Sequence, residues 1–246
     1  YFWERGEILK RLIVTGPRQS VFEDVPMPEC AADSLLVQAK VTAVSPGTEI
    51  RVYRNIPVDD DGTMMHGGVP WEMPIENGYS MSAEVMEVGK DVTGFGVGDR
   101  VFVAEPHKEY AVVPASRARK LPDGVSYEEA AFLHIMQVGH GTLRGGSPAP
   151  GENVAVVGQG VIGLSAIAFG NAFGFRLAAI DVHEVRLAIA RELGAGLAIS
   201  PNEPDFCDTL IDYFGGQGPD LVLEAASVWP AIKTSMDIAR VGGKIV

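Results

Sequence analysis

The stretch Val156-Val157-Gly158-Gln159-Gly160-Val161-Ile162-Gly163-Leu164 has glycines at the spacing that cradles a pyrophosphate. An apolar run, Val154-Ala155-Val156-Val157, precedes it. Ile162, Ala166, Phe169 and Phe173 follow at helical spacings of four, three and four. The pattern predicts a strand, a tight turn and a helix. Gly158 permits the turn, Gly160 lets the backbone approach the phosphates, and Gly163 lets the helix pack close to the strand. The start of that helix, Val161 and Ile162, offers unpaired N–H groups and a positive dipole end.

A second apolar run, Leu177-Ala178-Ala179-Ile180, ends in Asp181, 18 residues past Gly163. A carboxylate there accepts hydrogen bonds from the ribose hydroxyls of NAD and repels the 2′-phosphate of NADP. Val182 and His183 follow, so no arginine stands directly beside it. Arg186 lies one helical turn on and could reach the adenosine ribose. The residues therefore predict a dinucleotide site with NAD favoured over NADP.

These elements need a scaffold, and 246 residues suffice for one large domain or two ordinary ones. Apolar content of 46% and charged content of 21% describe a soluble globular chain. A net charge of -12 argues against nucleic acid or an anionic membrane as the main partner. Cys30 and Cys207 stand far apart without metal-type spacing, which predicts reduced thiols in a cytoplasmic protein. No apolar run has transmembrane length and no signal peptide is evident.

Up to about Pro122 the chain reads as short strands punctuated by Gly and Pro, a small barrel or sandwich. Strands are predicted around Leu12–Val14, Val21–Val25, Leu35–Val44, Glu84–Val88, Arg100–Val103 and Tyr110–Val113. Residues 56–78 read as a long surface loop, with Asp59-Asp60-Asp61 a solvated face. Ser126 and Glu129 form a capping box for a helix reaching about His140. Residues 145–150 form a turn cluster, giving domains at 8–150 and 151–246. Beyond it, helices marked by Val185, Ile189 and Leu193, and by Phe206, Leu210 and Phe214, alternate with strands. That alternation predicts a parallel sheet covered on both faces. Four strands and the first residues of a fifth are visible, so the sheet reads as incomplete and the chain as C-terminally truncated.

From end to end the chain resembles the medium-chain dehydrogenase/reductase superfamily. Pro46-Gly47-Thr48-Glu49 resembles the family's Cys-Gly-Thr-Asp, and Gly78-Tyr79-Ser80, with Gly89 eleven positions on, its Gly-His-Glu segment. Gly98-Asp99-Arg100-Val101, Leu121-Pro122-Asp123-Gly124, Glu129-Ala130-Ala131, the glycine fingerprint, Glu192-Leu193-Gly194-Ala195 and Val241-Gly242-Gly243 complete the register. The resemblance implies an α/β chain: an N-terminal GroES-like, β-rich catalytic domain followed by a Rossmann domain. It implies a small-molecule substrate in the cleft between them, and a homodimer at full length.

Zinc members of the family hold their catalytic metal with Cys, His and a third Cys or carboxylate. Here those positions are Pro46, Tyr79, Ser80 and the neighbourhood of Ile135, and the four-Cys lobe of a structural zinc is missing. No zinc is expected. The pattern resembles a zinc-poor branch that includes bacteriochlorophyllide dehydrogenase-like proteins. Without a metal, Thr48, at the position of the family's relay hydroxyl, and Tyr79, at a former ligand position, are the candidate catalytic groups. Each could equally be structural, as a turn hydroxyl or a packed ring. His134 and His140 on the linking helix read as structural, and no spacing supports a metal site from His66, His107 and Glu49. The expected activity is NAD-linked hydride transfer with a secondary alcohol/ketone pair. The alternatives are a zinc-free quinone or enoyl-type reductase and a non-catalytic nucleotide-binding remnant.

Overall fold

A computed structural model of the chain describes residues 8–58 and 66–246. The Asp59-Asp60-Asp61 run lies outside the described residues. The chain divides into two compact units, Tyr1–His134 and Ile135–Val246.

In the first unit, β1 (Ile8–Gly16) and β2 (Gln19–Pro26) form an antiparallel ribbon. β3 (Ser34–Thr42) is followed by α1 (Thr48–Arg54), then β4 (Ile75–Glu76) and β5 (Met81–Val88). β6 (Arg100–Val103), β7 (Tyr110–Pro114), β8 (Arg119–Lys120) and α2 (Tyr127–Ala131) complete the unit. The larger sheet runs β7-β3-β5-β6-β8, and the smaller one β2-β1-β4. Period-two alternation sends Leu35, Val37, Met81, Ala83, Val85, Val101 and Val103 into one core. Two local expectations change. Residues 56–78 are not all loop, because Ile75 and Glu76 pair with Val14 and Ile13 of β1. The Pro46-Gly47-Thr48-Glu49 motif opens a helix that the short apolar pattern did not announce.

The capping box is present: the Ser126 hydroxyl accepts the Glu129 N–H and the Glu129 carboxylate accepts the Ser126 N–H. The helix breaks at Phe132 and resumes as α3 (Leu133–Gly146), so Gly145 and Gly146 belong to its last turn.

The second unit carries β9 (Asn153–Val157), α4 (Val161–Ala172), β10 (Arg176–Ile180), α5 (Glu184–Glu192), β11 (Leu197–Ile199), α6 (Phe206–Tyr213), β12 (Leu221–Glu224), α7 (Trp229–Ile238) and β13 (Lys244–Ile245). All strands are parallel, in the order β11-β10-β9-β12-β13. Alternate residues feed opposite faces. Val154, Val156, Leu177, Ala179, Leu221 and Leu223 pack with Leu143, Ala166 and Ile167. Ala155, Val157, Ala178, Ile180 and Val222 pack with Phe206, Leu210, Phe214 and Ile238. A sheet buried on both faces needs such unbroken apolar strands.

Helix faces were harder to read. Phe206, Leu210 and Phe214 point inward as expected, but α5 buries Leu187 and Ala190 and leaves Val185 and Ile189 exposed. On α4, Ala166 is buried, while Phe173, the residue that caps its C-terminal end, is exposed. Small residues let this helix approach its neighbours: a Cβ on Gly139 of α3 would lie 2.0 Å from Ser165 Oγ of α4. Among the described residues no helix is long and apolar enough to cross a membrane.

Candidate active site

The glycine turn sits at the C-terminal end of β9, where strand order reverses between β9 and β12. Ligands bind open α/β sheets at such a switch point. Gly158 has φ +90°, and a Cβ there would lie 2.7 Å from Ala226. A Cβ on Gly163 would lie 1.9 Å from the Gly158 carbonyl oxygen. Both positions demand glycine. Gly160 differs: it is the N-cap of α4, and a Cβ there would meet nothing within 4 Å. Its open side is where a phosphate could approach the backbone. Val161 and Ile162 stand ahead of the first intrahelical bond, from Leu164 N–H to the Gly160 carbonyl at 2.9 Å, so their N–H groups have no partner within the helix.

Asp181 follows β10, with its side chain 4% exposed. Oδ2 accepts the Gln159 N–H at 2.7 Å, and Oδ1 accepts the His183 N–H at 2.9 Å. Arg186 Nη1 donates to Oδ2 at 3.4 Å, the longest of the three bonds, from a side chain 49% exposed. The carboxylate is therefore aimed by backbone, and Arg186 is the partner free to swing away. Gln159 is fully buried; its Nε2 donates to the Val156 carbonyl at 2.7 Å, and its Oε1 has no partner among the described residues. These residues fit a dinucleotide: glycines where backbone must approach, unpaired N–H groups, and an oriented acid.

In the first unit, Thr48 is the first residue of α1 and is half-buried. Tyr79 is half-buried, and its ring meets His134 edge-on, with centroids 5.0 Å apart at 62°. Among the described residues its hydroxyl has no hydrogen-bond partner. Asn77 ties the two segments together, donating from Nδ2 to the Glu49 carbonyl at 3.1 Å. The Glu49 carboxylate lies 2.7 Å from His107 Nε2. Of the three groups set aside for a metal, the fold thus joins two; His66 instead stacks on Trp71 at 5.5 Å.

The donor set does not suit a zinc ion, which takes Cys, His and carboxylate ligands. Pro46 has no side-chain donor and Ile135 is a buried hydrocarbon. The Ser80 hydroxyl donates to the Ala131 carbonyl at 2.5 Å and is fully buried. Among the described residues no group of three or more His, Cys, Asp or Glu could hold a metal. Three residues of these networks were not legible as site residues: Gln159, Asn77 and His107. Gln159 stands between two fingerprint glycines, but only the closed turn shows its burial. Asn77 and His107 are 30 positions apart, and only the folded unit joins them, through the His107 N–H to the Asn77 carbonyl at 2.9 Å.

The profile of the alcohol dehydrogenase GroES-like domain matches residues 32–123, and that of the zinc-binding dehydrogenase domain matches residues 161–246. L-threonine 3-dehydrogenase of Escherichia coli (strain K12) is 30% identical over 90% of this chain and 71% of its own length. The chain belongs to the medium-chain dehydrogenase/reductase superfamily. Sorbitol dehydrogenase of Bacillus subtilis (strain 168) is 26% identical over 96% of this chain and 74% of its own length. The crystal structure of an Escherichia coli CFT073 short chain alcohol dehydrogenase complexed with NADH superposes with a TM-score of 0.77 at 22% identity, covering 98% of this chain and 76% of that one. This superfamily member is accordingly an NAD(P)-dependent oxidoreductase acting on a small molecule. The family domain carries zinc in its description.

Proposed function

We propose that this oxidoreductase uses NAD and interconverts a secondary alcohol and a ketone without a catalytic metal, with residues 8–150 as its catalytic part and 151–246 as its cofactor part. When bound, a nicotinamide supplies or accepts the hydride. The N–H groups of Val161 and Ile162, beside the open face of Gly160, bind the pyrophosphate. Asp181 accepts the ribose hydroxyls as Arg186 swings aside.

The observation that carries the alcohol/ketone reading is Tyr79: a half-buried phenol, edge-on to His134, whose hydroxyl has no partner among the described residues. A phenol O–H donates to an oxygen as negative charge develops on it, the task a metal would otherwise perform. Thr48 is placed as the second hydroxyl, passing the proton onward. Product profiling with matched panels of ketones and enones tests this. Ketone reduction that falls about a hundredfold in Tyr79→Phe, the scale typical of positioned proton donors, supports it. Turnover of enones alone, indifferent to Tyr79→Phe, points instead to double-bond reduction.

A further inference from the structure

We propose that Glu49 and His107 are positioning residues that hold the Tyr79 phenol in place. This rests on the reading of Tyr79 as the donor to substrate oxygen. Three segments meet around the pair. Glu49 is in the first turn of α1, directly after Thr48. His107 precedes β7. Asn77 and Gly78 lead into Tyr79.

The pair is withdrawn from water, with side chains 4% and 11% exposed. Both carboxylate oxygens of Glu49 are committed. Oε1 accepts the Ser45 N–H at 2.8 Å and Oε2 faces His107 Nε2 at 2.7 Å. The backbone repeats the same connection: His107 N–H donates to the Asn77 carbonyl at 2.9 Å. Asn77 Nδ2 returns to the Glu49 carbonyl at 3.1 Å, and its Oδ1 accepts the Gly78 N–H at 3.1 Å. The His107 ring presses on the residue just before the phenol. A Cβ on Gly78 would lie 2.7 Å from that ring, and Gly78 has φ +105°. Tyr79 is thus fixed on one flank by Gly78, clamped under His107, and on the other by the edge of His134.

Stability alone is a poor explanation for such a pair, because apolar residues of similar volume often serve a buried position as well. Position is a better one. An imidazole held by a carboxylate and packed so close to Gly78 that no Cβ fits between them leaves the next side chain little freedom. A misplacement of about 1 Å at a reacting group can cost about a hundredfold in rate.

The test is a fluorine label. 3-Fluorotyrosine placed at position 79 of the full chain reports ring position by 19F NMR without any substrate. We expect one line in the parent protein, and a displaced or split line in Glu49→Gln and His107→Gln while cooperative melting persists. Should either single variant fail to fold, the Glu49→Met/His107→Leu double variant removes both partners together and leaves no unpaired charge. An unmoved fluorine line in a variant whose Tm has dropped would show that the pair only stabilises the barrel, and would overturn the proposal. In turnover assays, kcat should fall about ten- to a hundredfold with KM little changed. Adding Glu49→Gln to Tyr79→Phe should then cost nothing more, since both act through one phenol. Full additivity in that cycle also counts against the proposal. Full activity in Tyr79→Phe alone would sink the donor reading, while the fluorine line would still decide the positioning.

Discussion

The Asp181 carboxylate accepts the Gln159 N–H at 2.7 Å, fastening the end of β10 to the glycine turn 22 residues upstream. One side chain therefore does two things: it shapes the turn and presents an acid beside it. A substitution that removes the charge but keeps the shape separates them. Asp181→Asn should lower the melting temperature by about what one lost backbone hydrogen bond costs, because its single amide oxygen can still accept the Gln159 N–H but not the His183 N–H as well. It should weaken NADH binding about ten- to a hundredfold, since hydrogen bonds to a charged group contribute about 1.5–3 kcal/mol. Asp181→Ser or Gly should in addition raise the relative affinity for NADPH, with Arg186 released to meet the 2′-phosphate. Fluorescence titration of both cofactors measures this. A parent protein that prefers NADPH would show that the ribose assignment is wrong.

Gly160 and Gly163 lie three residues apart and should respond in opposite ways to an added methyl. At Gly163 the Cβ would stand 1.9 Å from a carbonyl oxygen, so Gly163→Ala should lose folding stability by the 1–3 kcal/mol or more, roughly, that overpacking costs. At Gly160 there is open space and an ordinary φ of -74°, so Gly160→Ala should fold normally. Its methyl would occupy the approach to the backbone, and NADH affinity should drop. Thermal melts run beside cofactor titrations separate the two effects. Undiminished NADH binding by Gly160→Ala would place the pyrophosphate elsewhere.

This contrast also shows what could be read in advance. The fingerprint glycines were legible because each does a local job tied to spacing. Strands were legible where alternation or unbroken apolar runs are dictated by burial on one or two faces. Helix faces were less so: α5 carries Val185 and Ile189 outward while Leu187 and Ala190 face the sheet, and a spacing of four cannot say which side is in. The two residues of β4 were hidden in a loop-like stretch because their pairing with β1 depends on tertiary contact. Glu49 and His107, 58 positions apart, carry no mutual signal in the sequence; only the folded β-rich unit makes them partners.

Asp99 gives a pH test of the β-rich unit. Its hydrogen bond to Lys120, at 2.6 Å, and then the Gly96 N–H, at 2.7 Å, hold its carboxyl below the ordinary carboxylate range. The folded state thus favours the ionised form. Its contribution is fully present above the unfolded value of about 3.9, and is lost as pH falls through the lower folded value. Asp99→Asn should be slightly less stable than the parent at pH 7, by at most about 1 kcal/mol for so exposed a pair. The two proteins should converge in acid. Chemical denaturation at several pH values reads the gap, and a gap that widens in acid would contradict the sign.

Metal content follows from the donor chemistry at four positions. Pro46 and Ile135 offer no side-chain donor, Ser80 has given its hydroxyl to the Ala131 carbonyl, and a phenol such as Tyr79 is not among the usual zinc ligands. A zinc ion needs three such ligands to stay bound while keeping one position open for substrate. Protein purified without added metal should therefore carry well under one zinc per chain by elemental analysis. Chelator treatment should leave turnover unchanged, and added zinc should not raise it. Stoichiometric zinc that survives mild chelation, together with activity lost when stronger chelation strips it, would overturn the metal-independent mechanism and with it the role given to Tyr79.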